Sequence, residues 1–441
     1  MNFHLVCPVW NKVYIDLFFD RLLPYYLKSK DLNNIEGLRH TVSIQFYTLE
    51  DDRQTIANKS ILATLKKRFN VAIHSNTIDK NLPKLLILTR LYEQARLDAI
   101  NADAIIITVQ PDTLYPENTF NDLIKLYEVG YRYVLAYGIP VNAETFLEEL
   151  SNTPPLNNPR EFSNLCLNHL HNEITKHQWN ENYFSMGVDY IAWQIPDSND
   201  YIIRAFRLHP MMLSPKNDIL MYWTPDLDYI YRCCHADFRD VYVYENSNEK
   251  ILASLQLSDN ERFQLSDGSV KTRMFIAKWI HYATDPLHRK LFRTNIAIHS
   301  KTRQAISSEL QKQIDTICND ILQLSSDNTN HFIATINQAL SSNKKIAIYG
   351  AGAFGQMVAN AFILNGCIPD AFFDTDKNKW GNIGRMIQVL APNHDTLINY
   401  FIIIASNYFK EIESFLKKNQ LNSQTDYITI MPEWIYNEHY K

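Results

Sequence analysis

The chain has 441 residues, with 43 Lys+Arg against 48 Asp+Glu, a net charge of −5, 46% hydrophobic and 21% charged residues. That length implies two or three domains, and that balance excludes a largely disordered chain. The mildly acidic composition lacks the basic footprint of a nucleic-acid binder. No apolar run of about 18 residues marks a membrane span, and MNFHLVCPVW has no secretory-signal pattern, so a cytoplasmic location is expected.

In chain order, residues 4–9 read as a strand, and a helical stripe follows through Tyr14, Leu17, Phe18, Leu22 and Leu23. Residues 41–48 (TVSIQFYT) predict a second strand, Ile61, Leu62, Leu65 and Phe69 an amphipathic helix, 71–74 a third strand, and 83–99 a long helix. The continuous apolar run 104–109 (AIIITV), stopped by Pro111, predicts a strand buried on both faces, as in a parallel sheet. A helix over 120–129 and a strand over 132–137 complete an alternation typical of an α/β layered domain. Residues 151–160 (SNTPPLNNPR) are a loop, followed by an aromatic-rich region to about residue 300. The periodicity of Ile306, Leu310, Ile314, Ile317 and Ile321 makes 301–343 a helical connector, which SSDNTN at 325–330 is expected to break. From 344 the pattern is strand 346–349, glycine loop, helix 356–364, strand 370–373, strand 400–405 and helix 409–418. The expected domains are therefore 1–300, 301–343 and 344–441.

Six of only 11 glycines fall at 350, 352, 355, 366, 381 and 384, which marks the C-terminal part as a module with its own backbone demands. Gly350-Ala351-Gly352-Ala353-Phe354-Gly355 is G-x-G-x-x-G, placed after a strand and opening a helix. Such glycines allow a tight turn, close approach to phosphate and close helix–strand packing, and the helix amides then face the anion. Asp374, about 20 residues on, ends the next strand, where an acid takes a ribose hydroxyl. NAD is the literal reading, but the module is short and no Tyr-x-x-x-Lys accompanies it, which favours a nucleotide-sugar over NAD. The runs KKIAIYGAGAFGQMVANAFILNGC, FFDTDKNKWG and FIIIAS resemble the small Rossmann-like nucleotide-sugar-binding domain of bacterial sugar O/N-acetyltransferases, over about a fifth of the chain. The resemblance implies a UDP-sugar or related ligand held by Gly350, Gly352, Gly355 and Asp374.

In the first part, Asp112 directly follows the buried run, at the strand end where α/β sheets place ligands. A carboxylate there could hold Mg²⁺ or Mn²⁺ against a diphosphate. The triplet is Gln110-Pro111-Asp112, so the first acid of a D-x-D is missing; a full D-x-D, Asp226-Leu227-Asp228, comes later before a helical flank, where both acids also suit a helix N-terminus. His209 could sit beside the metal, and His288 with Arg289 could meet a donor pyrophosphate; His281 and His299 complete a late histidine cluster, with Arg204 and Arg207 flanking His209. Trp193, Trp223 and Trp279 could cover a sugar face or pack in the core. The six cysteines form no C-x-x-C pair and read as reduced, mostly buried thiols.

The runs LVCPVWNKVYIDLF, IIITVQPDTLYPENTF, FRLHPMMLSP, TPDLDYI, WIHYATDPLHRKLF and IAIH, across residues 3–299, resemble a group of bacterial GT-A-like glycosyltransferases. The resemblance implies an α/β fold with a GT-A-like mixed or parallel sheet, a helical connector and a small C-terminal Rossmann-like domain. It further implies a nucleoside-diphosphate-sugar donor, a glycan acceptor, and a role in surface-polysaccharide or glycoconjugate synthesis. Asp112, Asp226, Asp228, His209 and His288 are the candidate catalytic residues, and Asp112 and Asp228 the candidate metal ligands. Two alternatives stand beside this: a non-catalytic nucleotide-sugar-binding regulator, which Gln110 favours, and an NAD-dependent sugar-nucleotide oxidoreductase. No G-x-S-x-G or H-E-x-x-H is present, which removes those hydrolase families.

Overall fold

The computed structural model describes residues 1–29, 32, 35, 40–80, 82, 84–152, 156, 158–179, 189–257, 273, 276–277, 280, 283–300, 305–381, 387–406 and 408–430. Trp279, His281 and Gly384 lie outside them. The chain divides into two compact units: Met1–Asn180, Phe184–Leu265 and Lys290–Gln311 form the first, and Glu181–Tyr183, Ser266–Arg289 and Lys312–Lys441 the second.

Among its described residues the first unit carries thirteen strands: β1 (Asn2–Pro8), β2 (Thr41–Leu49), β3 (Asn70–Asn76), β4 (Ala104–Thr108), β5 (Thr113–Leu114), β6 (Tyr133–Ala136), β7 (Gly138–Asn142), β8 (Tyr190–Gln194), β9 (Tyr201–Ala205), β10 (His209–Leu213), β11 (Val241–Val243), β12 (Leu252–Gln256) and β13 (Ile296–Ile298). Its main sheet has seven strands in the order β11-β6-β10-β4-β1-β2-β3. β1 to β4 run parallel, with Leu5 opposite Ile44 and Ile107, and β10 runs antiparallel between β4 and β6. The sheet is thus mixed, as a chain returning between two parallel neighbours requires. β4 (AIIIT) is buried throughout because the helix Lys84–Asn101 packs on β1, β2 and β4. Two three-stranded sheets, β5-β12-β7 and β13-β9-β8, adjoin it.

A buried ion pair anchors that helix. Arg96 is fully buried, with Nε and Nη2 donating to the two Glu93 oxygens at 2.7 Å each. Arg96 Nη1 also donates to the Lys216 carbonyl, and Glu93 accepts the Met221 amide. The pair therefore ties the long helix to the segment that leads into Asp226.

The second unit carries β14 (Lys345–Tyr349), β15 (Ala371–Phe373), β16 (Gln388–Leu390), β17 (Tyr400–Ile404) and β18 (Tyr427–Thr429), all parallel, in the order β16-β15-β14-β17-β18. The sequence pattern revealed only the central three; β16 and β18 are edges that are only partly buried, whereas the equally short β15 is buried throughout and so carries an apolar run. Phe373, Ile402, Ile404 and Leu416 are buried completely in the core of this sheet, each contributing about 1.5–3 kcal/mol. The helix Ser308–Ser341 runs unbroken, against the expected break at 325–330. That stretch is polar but contains neither Pro nor Gly, so nothing interrupts the backbone ladder.

Among the described residues no helix is long and apolar enough to cross a membrane. All six cysteines are free thiols, five of them buried.

Candidate functional sites

The second unit offers the better formed site. At the carboxyl ends of β14, β15 and β17, where the strand order turns back on itself, a cleft of about 760 Å³ opens. This is the position at which open parallel sheets take ligands. The three glycines of the loop do different things there. Gly350 has φ +116°, and a Cβ on it would stand 2.5 Å from the Ala405 carbonyl oxygen. Gly355 lets the helix Ala353–Leu364 close on the loop, since a Cβ would lie 1.7 Å from the Gly350 carbonyl oxygen. Gly352 has nothing within 4 Å of its missing Cβ, so the backbone is bare toward the cleft. The first turn of the helix, whose amides have no intrahelical partner, lines the cleft through Phe354 and Gly355.

Asp374 braces this loop. Its Oδ2 accepts the Ala351 amide at 2.8 Å and the Lys379 ammonium at 3.0 Å, and its Oδ1 accepts the Asp376 amide at 2.9 Å. Burial works to raise the Asp374 pKa, but the Asp376 and Ala351 amides and Lys379 outweigh it, and the carboxyl sits below its ordinary value. The Trp380 indole N–H donates to the Asp374 carbonyl at 2.6 Å. Sequence reasoning named Asp374 as a ribose reader; its geometry makes it first a strut between strand and glycine loop. Lys379 and Tyr408, both lining the cleft, were missed, because neither stands at a fixed offset in the glycine motif.

In the first unit the carboxyl edge of the main sheet gathers side chains from distant parts of the chain. His209 opens β10, and its Nδ1 is 2.9 Å from Gln110 Oε1, just beyond β4. An amide oxygen only accepts, so His209 carries its proton on Nδ1. Thr113 donates to the same oxygen at 3.1 Å. The imidazole occupies the space that a side chain at residue 138 would fill, since a Cβ on Gly138 would lie 2.5 Å from His209 Nε2. Burial lowers the His209 pKa to about 4, so the ring is neutral near pH 7.

Asp112 stands in the turn after β4, part-exposed, and its carbonyl accepts the Leu255 amide at 2.8 Å. Burial and then the nearby Asp112 charge push the Cys7 thiol well up. Burial is also the main cause of the raised Tyr92 phenol, with Tyr115, Cys7 and Asp226 adding to it. Asp112 and Asp226 thus act on one buried cluster. Burial raises the Asp226 pKa against the pull of Thr224 and Arg207, and Arg207 itself pairs with Asp189 at 2.9 Å.

The other expected site residues are engaged elsewhere. Asp228 is buried, accepting the Trp223 amide at 2.9 Å and pairing with Arg232 at 3.0 Å, and burial pushes its pKa up to about 6. It closes its own helical turn, Pro225–Tyr229. A divalent cation held by Asp112 and Asp228 does not fit this arrangement, because Asp228 is committed to that turn and position 110 supplies a neutral amide. Among the described residues no group of three or more His, Cys, Asp or Glu is placed to hold a metal ion. His288 belongs to the second unit and caps a helix: its amide donates to Asp285 Oδ1 at 2.8 Å, and its Nδ1 accepts the Asp285 amide at 3.1 Å. Arg204 is buried, donating to the Arg293 carbonyl, and His299 faces Asp200 at 3.3 Å. Trp193 and Trp223 are buried, so their rings serve packing and not a sugar face.

No protein-family model and no curated protein matches the sequence. Among solved structures, the chain is similar to S. aureus TarS at 15% identity and TM-score 0.24, over 32% of this chain and 22% of that one. It is similar to mouse xyloside xylosyltransferase 1 at 15% identity and TM-score 0.22, over 36% of this chain and 63% of that one. The chain thus spans about a fifth of the first and just under two thirds of the second.

Proposed function

We propose that the protein is a glycosyltransferase that uses a nucleoside-diphosphate sugar, with transfer at the carboxyl edge of the first unit's sheet and a second nucleotide or nucleotide-sugar bound in the cleft of the second unit. The transfer reading is carried by one observation: His209 meets Gln110 at the end of β4, two residues before Asp112, where the parallel strands stop and β10 returns. In such a reaction an acceptor hydroxyl oxygen bonds to the anomeric carbon while the diphosphate leaves with the bonding pair and the hydroxyl proton passes to the departing phosphate oxygen or to water. Asp112 would take the donor ribose, and Arg207 lies close enough to Asp226 to offset its charge. No step is routed through a metal ion. The cleft of the second unit fits a phosphate-bearing ligand by the bare Gly352, the N-terminus of the helix Ala353–Leu364 and Lys379. Bacterial surface-glycan synthesis is the setting we propose for such chemistry.

The test is slow donor hydrolysis: incubation with UDP- and GDP-sugars releases free nucleoside diphosphate, and Asp112→Ala reduces the rate about tenfold or more. No release across a broad donor panel, with nucleotide binding retained, would favour a second reading. In that reading the first unit has lost transfer and the protein is a nucleotide-sugar sensor, which the neutral Gln110 and the committed Asp228 support.

A further inference from the structure

The cleft of the second unit is lined from both sides of β14. After β15, Lys379 pairs with the strut carboxylate Asp374, its side chain 40% exposed. After β17 stands Tyr408, which lines the cleft yet is 69% exposed. A Tyr ring at the wall of a cavity offers an apolar face with a polar tip. Its backbone is fixed, since the Tyr408 amide donates to Ser406 Oγ at 3.2 Å and the helix Phe409–Lys418 starts directly after it. Asp376 and Glu411 also line the cleft, so the walls carry more acid than base. That limits how many phosphates the site tolerates.

We propose that Lys379 and Tyr408 are the two recognition residues of this cleft, Lys379 pairing with a phosphate at the glycine loop and Tyr408 stacking on the base, so that the ligand is a nucleoside mono- or diphosphate, free or sugar-linked, and not a simple sugar phosphate. This rests on reading the cleft as a nucleotide site and adds which end of the nucleotide each residue holds. A flat base covers the exposed ring face, as aromatic platforms do for bases of any identity. Lys379 turns from Asp374 toward the phosphate, while the Ala351 and Asp376 amides keep the strut in place.

The experiment is binding of UDP, ADP, GDP and ribose 5-phosphate to the full-length chain, read by the fluorescence change that Trp380→Phe abolishes, since Trp380 is bonded to the strut itself. Tyr408→Ala is expected to weaken the bound nucleoside diphosphate about tenfold or more and to leave ribose 5-phosphate unchanged. Tyr408→Phe, which keeps the ring, restores wild-type affinity. Lys379→Met weakens nucleotide and sugar phosphate alike and flattens the salt dependence. A Tyr408→Ala protein that melts as wild type and binds nucleoside diphosphates undiminished overturns the assignment while the nucleotide reading of the cleft stands. Failure of every nucleotide to bind overturns both.

Discussion

Two parallel strand ends, β4 in the first unit and β14 in the second, are finished in opposite ways. After β14 the chain builds with backbone: a left-handed glycine, a bare glycine and a glycine pressed against a carbonyl, with one carboxylate holding the turn. After β4 it builds with side chains: an amide oxygen from residue 110, an imidazole from residue 209 and a hydroxyl from residue 113. The backbone-built edge yields an open cleft of about 760 Å³. The side-chain-built edge yields a neutral, tightly bonded cluster whose properties depend on burial. The fold of the first kind of edge is sensitive to a Cβ at Gly350 and Gly355; the second is sensitive to loss of a partner and to a new charge.

The largest effect is expected where the side-chain edge is anchored. Arg96→Ala leaves Glu93 buried without its bidentate partner and takes the guanidinium donor from the Lys216 carbonyl. A loss of about 3–5 kcal/mol is expected, read as a lower denaturant midpoint for the first unit. An unchanged midpoint would mean that the helix Lys84–Asn101 does not depend on the pair.

Next come the glycines. Gly355→Ala puts a carbon 1.7 Å from a backbone oxygen, which must shift, at a cost of about 3 kcal/mol. Gly352→Ala meets nothing within 4 Å and should change stability by under about 1 kcal/mol. Calorimetry of both variants sharpens the comparison: equal losses would mean that the loop as a whole, and not the helix–loop contact, sets the stability of the second unit.

These glycines also explain what could be read in advance. G-x-G-x-x-G is legible because its constraint is local: a fixed spacing forces a fixed backbone. The strand AIIIT was legible for the same reason, its apolar run being the record of burial on both faces. The pairing of Gln110 with His209, 99 positions apart, leaves no local trace, and D-x-D at 226–228 looked like a metal motif although Asp228 is the partner of Arg232 four residues on. The same holds for His288, whose i,i+3 relation to Asp285 is a helix cap that isolated residue types do not disclose.

A smaller effect tests the burial of the side-chain edge. The folded-state pKa of His209 is about 4, below the ordinary value of about 6.5 for the unfolded chain. As pH falls below about 6.5 the unfolded state takes up a proton that the folded state refuses, so stability declines until about pH 4 and then levels. The slope from this residue is at most about 1.4 kcal/mol per pH unit. In His209→Gln that part of the slope is absent, which melts at pH 7 and pH 5 measure directly.

The last test changes the partner instead of the ring. Gln110→Glu replaces the amide oxygen 2.9 Å from His209 Nδ1 with a carboxylate. A negative charge at that distance favours imidazolium, so the His209 pKa should rise from about 4 by about one pH unit or more, followed by ¹⁵N NMR of the ring. The substitution also supplies the acid that a D-x-D would carry two residues before Asp112. If the His209 pKa does not move, the new carboxyl has taken the proton itself, and desolvation outweighs charge at this edge. If it rises, one side chain sets the charge of the cluster. At the end of β14 the turn itself is set by glycine backbone, so a side-chain exchange there changes what lines the cleft and not the loop that forms it.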